Sequence, residues 1–244
     1  MNNNVLVVYY SGTGGTKRIA DEFEAVFTSK KHKVVKCSLD KRNYDTFKEK
    51  NRDLFNEINL IILLYPVYAL EAPKLIFEWL EGLPAGKNTS TVVVSVSGGG
   101  EIWPNTSCRV NVIKALEKKN YDVVYEKMMV MPANVLIQIS DHLVMHLLNC
   151  IPEKVNKIVN DILDGRKRRD KIHISTYVFS LLHMEKHTKG FSNYFRIRDN
   201  CSACGWCIKN CPIENIELKN RIPKFGNNCV GCLRCVYGCR NKSI

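Results

Sequence analysis

Apolar positions along the chain alternate between two periods. Short β-branched runs at Val5 to Tyr10, Lys33 to Cys37, Leu60 to Leu64, Thr91 to Val96 and Asp122 to Val130 read as strands. Between them lie stretches with apolar residues at helical spacing: Lys17 to Thr28, a weaker one at Tyr44 to Asn56, Pro73 to Glu81, and Ser107 to Lys119. Pro152 opens a further helix through Leu163, and the apolar stretch Leu136 to Leu148 reads as core, with a lid as the alternative. Strands alternating with helices predict an α/β domain, a doubly wound five-stranded parallel sheet covered on both faces. In such sheets ligands bind at the carboxyl ends of the strands, which directs attention to the loops after strands one, three and four.

The first of these loops is Ser11-Gly12-Thr13-Gly14-Gly15-Thr16. Its glycines let backbone N–H groups face a phosphate at the following helix N-terminus, and its hydroxyls add donors. No lysine stands in the Walker position, which disfavours a nucleoside triphosphate, and the pattern is not Gly-x-Gly-x-x-Gly. A tight turn without a ligand is the plain alternative. The loop resembles the Ser/Thr-x-Thr-Gly-x-Thr phosphate loop of flavodoxins, with Gly15 where they usually carry Asn. That resemblance implies FMN, held by its 5′-phosphate at Ser11 to Thr16. It also implies that Tyr65 or Tyr68 after strand three and Trp103 after strand four flank the ring, with Gly98, Gly99 and Gly100 near its polar edge. Each aromatic taken singly reads equally well as a packed loop residue. The loop after strand three has no glycine, where flavodoxins often use one whose peptide flips on reduction.

Eight of the 11 cysteines form two runs near the C-terminus, Cys201, Cys204, Cys207 and Cys211, then Cys229, Cys232, Cys235 and Cys239. Their spacing is the bacterial iron-sulfur pattern, in which the fourth cysteine of each run ligates the other cluster. One [4Fe-4S] cluster is thereby assigned to Cys201, Cys204, Cys207 and Cys239, the other to Cys229, Cys232, Cys235 and Cys211. A structural zinc site needs only two Cys pairs, and disulfides need an oxidising compartment that the opening Met-Asn-Asn-Asn does not suggest. Cys37, Cys108 and Cys150 read as buried or free thiols of a reduced cytosol, and His142 with His146, four apart on one helical face, lack the glutamate or third ligand in register that a metal pair needs.

The net charge of +12 suggests nucleic acid until its distribution is examined. Residues 1–165 carry a net +1, residues 166–190 +5 and residues 191–244 +6. Two oxidised clusters of charge about −2 each would cut the last figure to about +2. What remains is the run Arg166-Lys167-Arg168-Arg169-Asp170-Lys171, read as a solvated linker, with docking to an acidic partner as the alternative. Nucleic acid is not expected, since no basic recognition helix or interleaved stacking aromatics occur. Apolar residues between Ile172 and Leu182 fall partly on one helical face and predict packing between domains. No apolar stretch approaches the roughly 18 residues of a membrane span.

The segment from Phe195 resembles a two-cluster bacterial ferredoxin, with an opening strand at Phe195 to Arg198, a hairpin from Ile216 to Phe225, Pro212 after the first run and Arg240 in place of the second proline. The whole chain resembles bacterial and archaeal fusions of a flavodoxin-like domain, here 1–165, through a linker, 166–190, to a small α+β ferredoxin-like domain, 191–244. This resemblance implies a cytoplasmic electron-transfer protein of anaerobic settings, joining FMN and two clusters to redox protein partners. The alternatives are a flavin-dependent reductase of a quinone or nitro compound, and a cluster-bearing sensing module without flavin.

Overall fold

The computed structural model describes residues 4–50, 54–133, 139–170, 174–181 and 190–244. Five strands, β1 (Asn4–Tyr9), β2 (Lys33–Ser38), β3 (Leu60–Pro66), β4 (Thr89–Ser97) and β5 (Tyr121–Val130), pair in parallel in the order β2-β1-β3-β4-β5. The expected five-stranded parallel sheet is therefore present. The helices are α1 (Gly15–Ser29), α2 (Lys41–Lys50), α3 (Leu54–Glu57), α4 (Lys74–Glu81), α5 (Val110–Lys118), α6 (Asp141–Asn149) and α7 (Ile151–Leu163). The weak stretch at Tyr44 to Asn56 falls on α2 and α3, with 51–53 outside the described residues. Of Leu136 to Leu148, the part through residue 138 lies outside them, and the rest falls on α6, which buries no residue fully.

Because side chains alternate along a strand, each apolar run supplies both faces of the sheet. Val5, Val7, Ile62, Leu64, Val92 and Val94 pack with Ile19, Phe23 and Phe27 of α1 and Val155 and Val159 of α7. Leu6, Val8, Ile61, Leu63 and Val93 face Ile76, Trp79 and Leu80 of α4 and Val112, Ile113 and Leu116 of α5. Val230 and Cys232, a hundred residues and more beyond the end of β5, belong to this second core.

The basic run does not behave as a solvated linker. Arg168 forms a parallel bridge with Tyr125, through Arg168 N–H to Val124 O at 3.0 Å and Glu126 N–H to Arg168 O at 2.9 Å. It thus covers part of the exposed edge of β5, where unpaired N–H and C=O groups would otherwise face solvent. Its charges meet a ring of carboxylates: Arg166 with Asp161 and Asp164, Lys167 with Asp122, Arg168 with Glu101, and Arg169 with Glu117 and Glu126. Asp170 reaches the fully buried Arg109 at 2.5 Å, which Glu101 also contacts at 2.8 Å and Glu126 at 3.3 Å. Helix α8 (Ile174–Ser180) then packs on α5, with Lys114 Nζ 3.7 Å from the Tyr177 ring centroid and Asn111 Nδ2 donating to Ser180 O at 2.7 Å. Ile172 and Leu182 lie outside the described residues.

Near the C-terminus come α9 (Trp206–Lys209), the antiparallel pair β6 (Ile216–Lys219) and β7 (Ile222–Phe225), and α10 (Arg234–Tyr237). The hairpin falls where the sequence placed it. The opening strand does not: Phe195 to Arg198 pairs with no ladder and is held instead by the Phe195 ring against Phe225 at 5.3 Å and Phe191 at 5.7 Å. Among the described residues no helix is long and apolar enough to cross a membrane.

Arg109 is the cation on which this edge depends. Removing one partner of a buried ionic cluster leaves the others uncompensated, so Arg109→Met should lower unfolding free energy by about 3–5 kcal/mol, read from urea denaturation of the full chain. A loss below about 1 kcal/mol would mean that Glu101, Glu126 and Asp170 are satisfied without it.

Candidate functional site

The phosphate-type loop joins β1 to α1. Ser11, Gly12 and Thr16 are buried while Thr13 and Gly14 are exposed, so the loop grips the body of the protein at its ends and opens at its middle. Gly14 takes φ 106°, a conformation that favours glycine, and no side chain caps α1. The Gly14 N–H instead closes the turn onto Ser11 Oγ at 3.2 Å. The N–H groups of the first turn of α1 are thus available to an anion.

The two other loops hold the remaining candidates. Tyr65 has the parity of Ile61 and Leu63, and its ring is buried in the α4–α5 core with its hydroxyl donating to Cys108 O at 3.3 Å. It does not join the loop cluster. Tyr68 does: it opens a tight turn closed by paired backbone bonds with Glu71, with Ala69 and Leu70 both at positive φ, 49° and 64°. Trp103, on the loop after β4, is 57% exposed beside Ile102 at 64%. In that loop Gly99 N–H bonds to Ser97 Oγ at 3.1 Å and Asn105 Nδ2 to Gly100 O at 3.2 Å. A side chain on Gly98 would meet Ala133 Cβ at 2.6 Å.

The two cysteine runs fold alike. They stand twenty-eight residues apart, and the left-handed positions repeat with them: Ala203 (φ 54°) and Gly231 (69°), Gly205 (73°) and Leu233 (57°), Glu214 (54°) and Lys242 (50°). Each run turns into a one-turn helix, α9 or α10, and each last cysteine accepts an N–H four residues on, Asn215 to Cys211 Sγ and Ser243 to Cys239 Sγ, both at 3.3 Å. Gly231 N–H also points to Cys229 Sγ at 3.4 Å. Trp206 covers Gly238 so closely that any side chain there would overlap its ring, which joins the two repeats.

Burial pushes the Cys235 thiol up to about 12, with Cys232, Cys229, Cys211 and, from the first run, Cys207 adding to the rise. Burial raises Cys229 and Cys232 as well, and Cys211 contributes to both. Thiols of the two runs are therefore electrostatic neighbours whose thiolates would repel one another. Cys207 is raised by burial and by Cys204 and Cys201, while hydrogen bonds to Ser243 and its neighbours outweigh the burial of Cys239 and lower it. Among the described residues no three His, Cys, Asp or Glu side chains converge as a metal site.

The second run docks on the phosphate loop, an arrangement no local sequence pattern foretold. The Arg234 guanidinium donates from Nε to Gly12 O at 2.8 Å, from Nη1 to Asp40 Oδ2 at 2.7 Å and Asn210 O at 3.1 Å, and from Nη2 to Asp40 Oδ1 at 3.0 Å and to Ser11 O. Lys41 N–H to Pro212 O at 2.8 Å and Arg42 Nε to Glu214 at 2.6 Å extend the junction. Cys232 lies against Gly12 and beside the hydroxyls of Tyr10 and Tyr68. Tyr10 Oη is fully enclosed and lacks a hydrogen-bond partner of good geometry, yet it faces Cys232, whose charge adds to the effect of burial in raising the Tyr10 pKa. A cleft of about 490 Å³ remains between the loop and the repeats, lined by Ser11 to Gly14, Lys17, Asp40, Trp206, Arg234 and Tyr237 among others.

No family model matches the sequence, and no curated protein matches it. Solved structures similar to it include a flavodoxin from the domain Archaea, 14% identical over 64% of this chain and 99% of that one with a TM-score of 0.38. Flavodoxin 1 from Bacillus cereus is 13% identical over 62% and 97%, TM-score 0.40. An NAD(P)H:quinone oxidoreductase from Methanothermobacter marburgensis is 12% identical over 71% and 100%, TM-score 0.47. Identities this low concern the fold alone, and the fold rests on the strand order 2-1-3-4-5. The fold is flavodoxin-like.

In this flavodoxin-like frame the loop meets Tyr68 and the second cysteine run at Gly12. An alanine Cβ there would overlap Tyr68 Oη and come within 2.9 Å of Cys232 O. Gly12→Ala should lower stability by about 1–3 kcal/mol in thermal denaturation, and Tyr68→Phe should recover part of that loss in a double-mutant cycle. Strict additivity of the two changes would contradict the contact.

Proposed function

We propose that this protein transfers electrons between FMN and two [4Fe-4S] clusters held in one chain. The observation that carries the reading is the docking of the second cysteine run on the phosphate loop, through Arg234 and Cys232. FMN would be held by its phosphate at Ser11 to Thr16, with Tyr68, Trp103 and the Gly98 to Gly100 backbone as candidates for the ring. Cys201, Cys204, Cys207 and Cys239 would hold one cluster, and Cys229, Cys232, Cys235 and Cys211 the other. Backbone N–H groups already directed at sulfur, and the partnerless Tyr10 hydroxyl beside Cys232, fit thiolate-bound clusters. A flavin exchanges one or two electrons and a cluster one, so the pair divides a two-electron event into single steps.

What the chain's own residues do is bind, bury and bring together. Cys232 is buried where it meets Gly12 and Tyr68, whereas Cys204 of the other run is exposed. In this reading Cys232 brings the second run's cluster up to the phosphate loop, and the exposed Cys204 leaves the first run's cluster open to an external redox protein. No nucleophile or proton-handling pair lies among the candidate flavin residues, which favours a carrier over a reductase with its own organic substrate.

Anaerobically purified protein should contain about eight iron, eight acid-labile sulfide and one FMN per chain. Iron and sulfide without flavin, even after added FMN, would remove FMN from the function; zinc in place of iron would remove both clusters. A second outcome concerns Tyr10. As a donor to a cluster thiolate it raises that cluster's potential, so Tyr10→Phe should shift one of the two cluster potentials to lower values in an electron paramagnetic resonance titration. Two unchanged potentials would show that the hydroxyl serves packing alone.

A further inference from the structure

We propose that Arg234 is the positioning residue that holds the phosphate loop in its FMN-accepting form, so that flavin retention depends on the docked second cysteine run. The inference rests on the FMN reading above and adds a dependence of one cofactor site on the other.

The guanidinium uses its whole donor set at this junction. Arginine carries five N–H groups, and each finds an acceptor here: Gly12 O, Ser11 O, both oxygens of Asp40, and Asn210 O. The Asp40 carboxylate pairs with its charge, Nη1 lying 2.7 Å from Asp40 Oδ2. Two of the five bonds go to successive loop carbonyls. In a trans peptide the C=O and the following N–H point to opposite edges. Fixing Gly12 O to Arg234 Nε therefore turns the Thr13 N–H away from the cysteine run, at the exposed middle of the loop. Fixing Ser11 O constrains Gly12 likewise, and the Gly12 backbone bonds to the Tyr68 hydroxyl.

Charge adds a second effect. Asp40 lines the same cleft as Ser11 to Gly14, where a bare carboxylate would repel a phosphate. Arg234 covers both its oxygens. The internal repeat separates this task from cysteine-run architecture. Trp206 occupies the corresponding position of the first run, which has the same backbone turns without an arginine. The guanidinium stands where a cysteine run meets the loop, and nothing in the fold of the run itself requires it.

The test compares FMN with riboflavin, which lacks the phosphate, on the anaerobic full chain with iron measured in each sample. Arg234→Gln should weaken FMN binding about tenfold or more, followed by flavin fluorescence, while riboflavin binding stays within about twofold of the unaltered chain. Asp40→Asn added to Arg234→Gln should restore part of the FMN affinity. Should Arg234→Gln lower the iron content, Arg234→Lys decides the matter: it keeps a charge beside Asp40 but lacks the fork that reaches Ser11 and Gly12. Selective loss of FMN in that variant supports the proposal. Unchanged FMN binding, or equal loss of FMN and riboflavin, overturns it while leaving the FMN reading in place. Failure of the unaltered chain to bind FMN overturns both.

Discussion

One guanidinium joins two pieces of chain that are more than two hundred residues apart. The bonds from Arg234 to Ser11 O, Gly12 O and Asp40 decide where the cysteine repeats sit on the sheet, and most other features of the junction follow from that placement. Gly12 has to lack a side chain because Cys232 and Tyr68 come up against it. Val230 and Cys232 complete an apolar core that α4 and α5 leave open at the carboxyl end of the sheet. Charge drawn partly out of water, as at Arg234 and Asp40, is costly unless its donors are paired. Here pairing is complete, and the geometry it imposes is narrow, since a guanidinium fork accepts few arrangements of carbonyl and carboxylate.

The charge of the chain takes a similar form. Its formal +12 suggests a surface seeking a polyanion. The residues that make up the central part of the excess instead bind carboxylates of the same molecule, at Glu101, Glu117, Asp122, Glu126, Asp161 and Asp164, and lie along the β5 edge. Sequence distance hides such pairs. A local reading sees only a basic run, because its partners are drawn from a loop, a strand and two helices.

The sheet was legible because both faces of the central strands β1, β3 and β4 are buried, which yields unbroken apolar runs bounded by glycine or polar turns. The glycine-rich loop after β1 and the repeated turns of the two cysteine runs were legible for a different reason: both are patterns of spacing along the chain. Tyr65 was within reach of the same logic, since its parity with Ile61 and Leu63 places it in the core, whereas Tyr68 lies beyond the strand where parity no longer applies. Phe195 to Arg198 has the composition of a strand but joins no ladder; aromatic contacts with Phe191 and Phe225 and the backbone bond from Arg198 N–H to Ser243 O at 2.8 Å hold it instead. Arg234 was not legible in the repeat, because the two runs share only their cysteines and Trp206 is merely one of the unlike counterparts. Its meaning is tertiary, because the carbonyls it holds belong to β1's loop.

The central claim is that flavin and clusters exchange electrons within one molecule. The most direct measurement is anaerobic stopped-flow reduction by a low-potential donor, with cluster and flavin absorbance followed separately over a range of protein concentrations. The account predicts cluster reduction first, then flavin reduction at a rate independent of protein concentration. Flavin that stays oxidised beside reduced clusters, or a rate that rises in proportion to protein concentration, would contradict it.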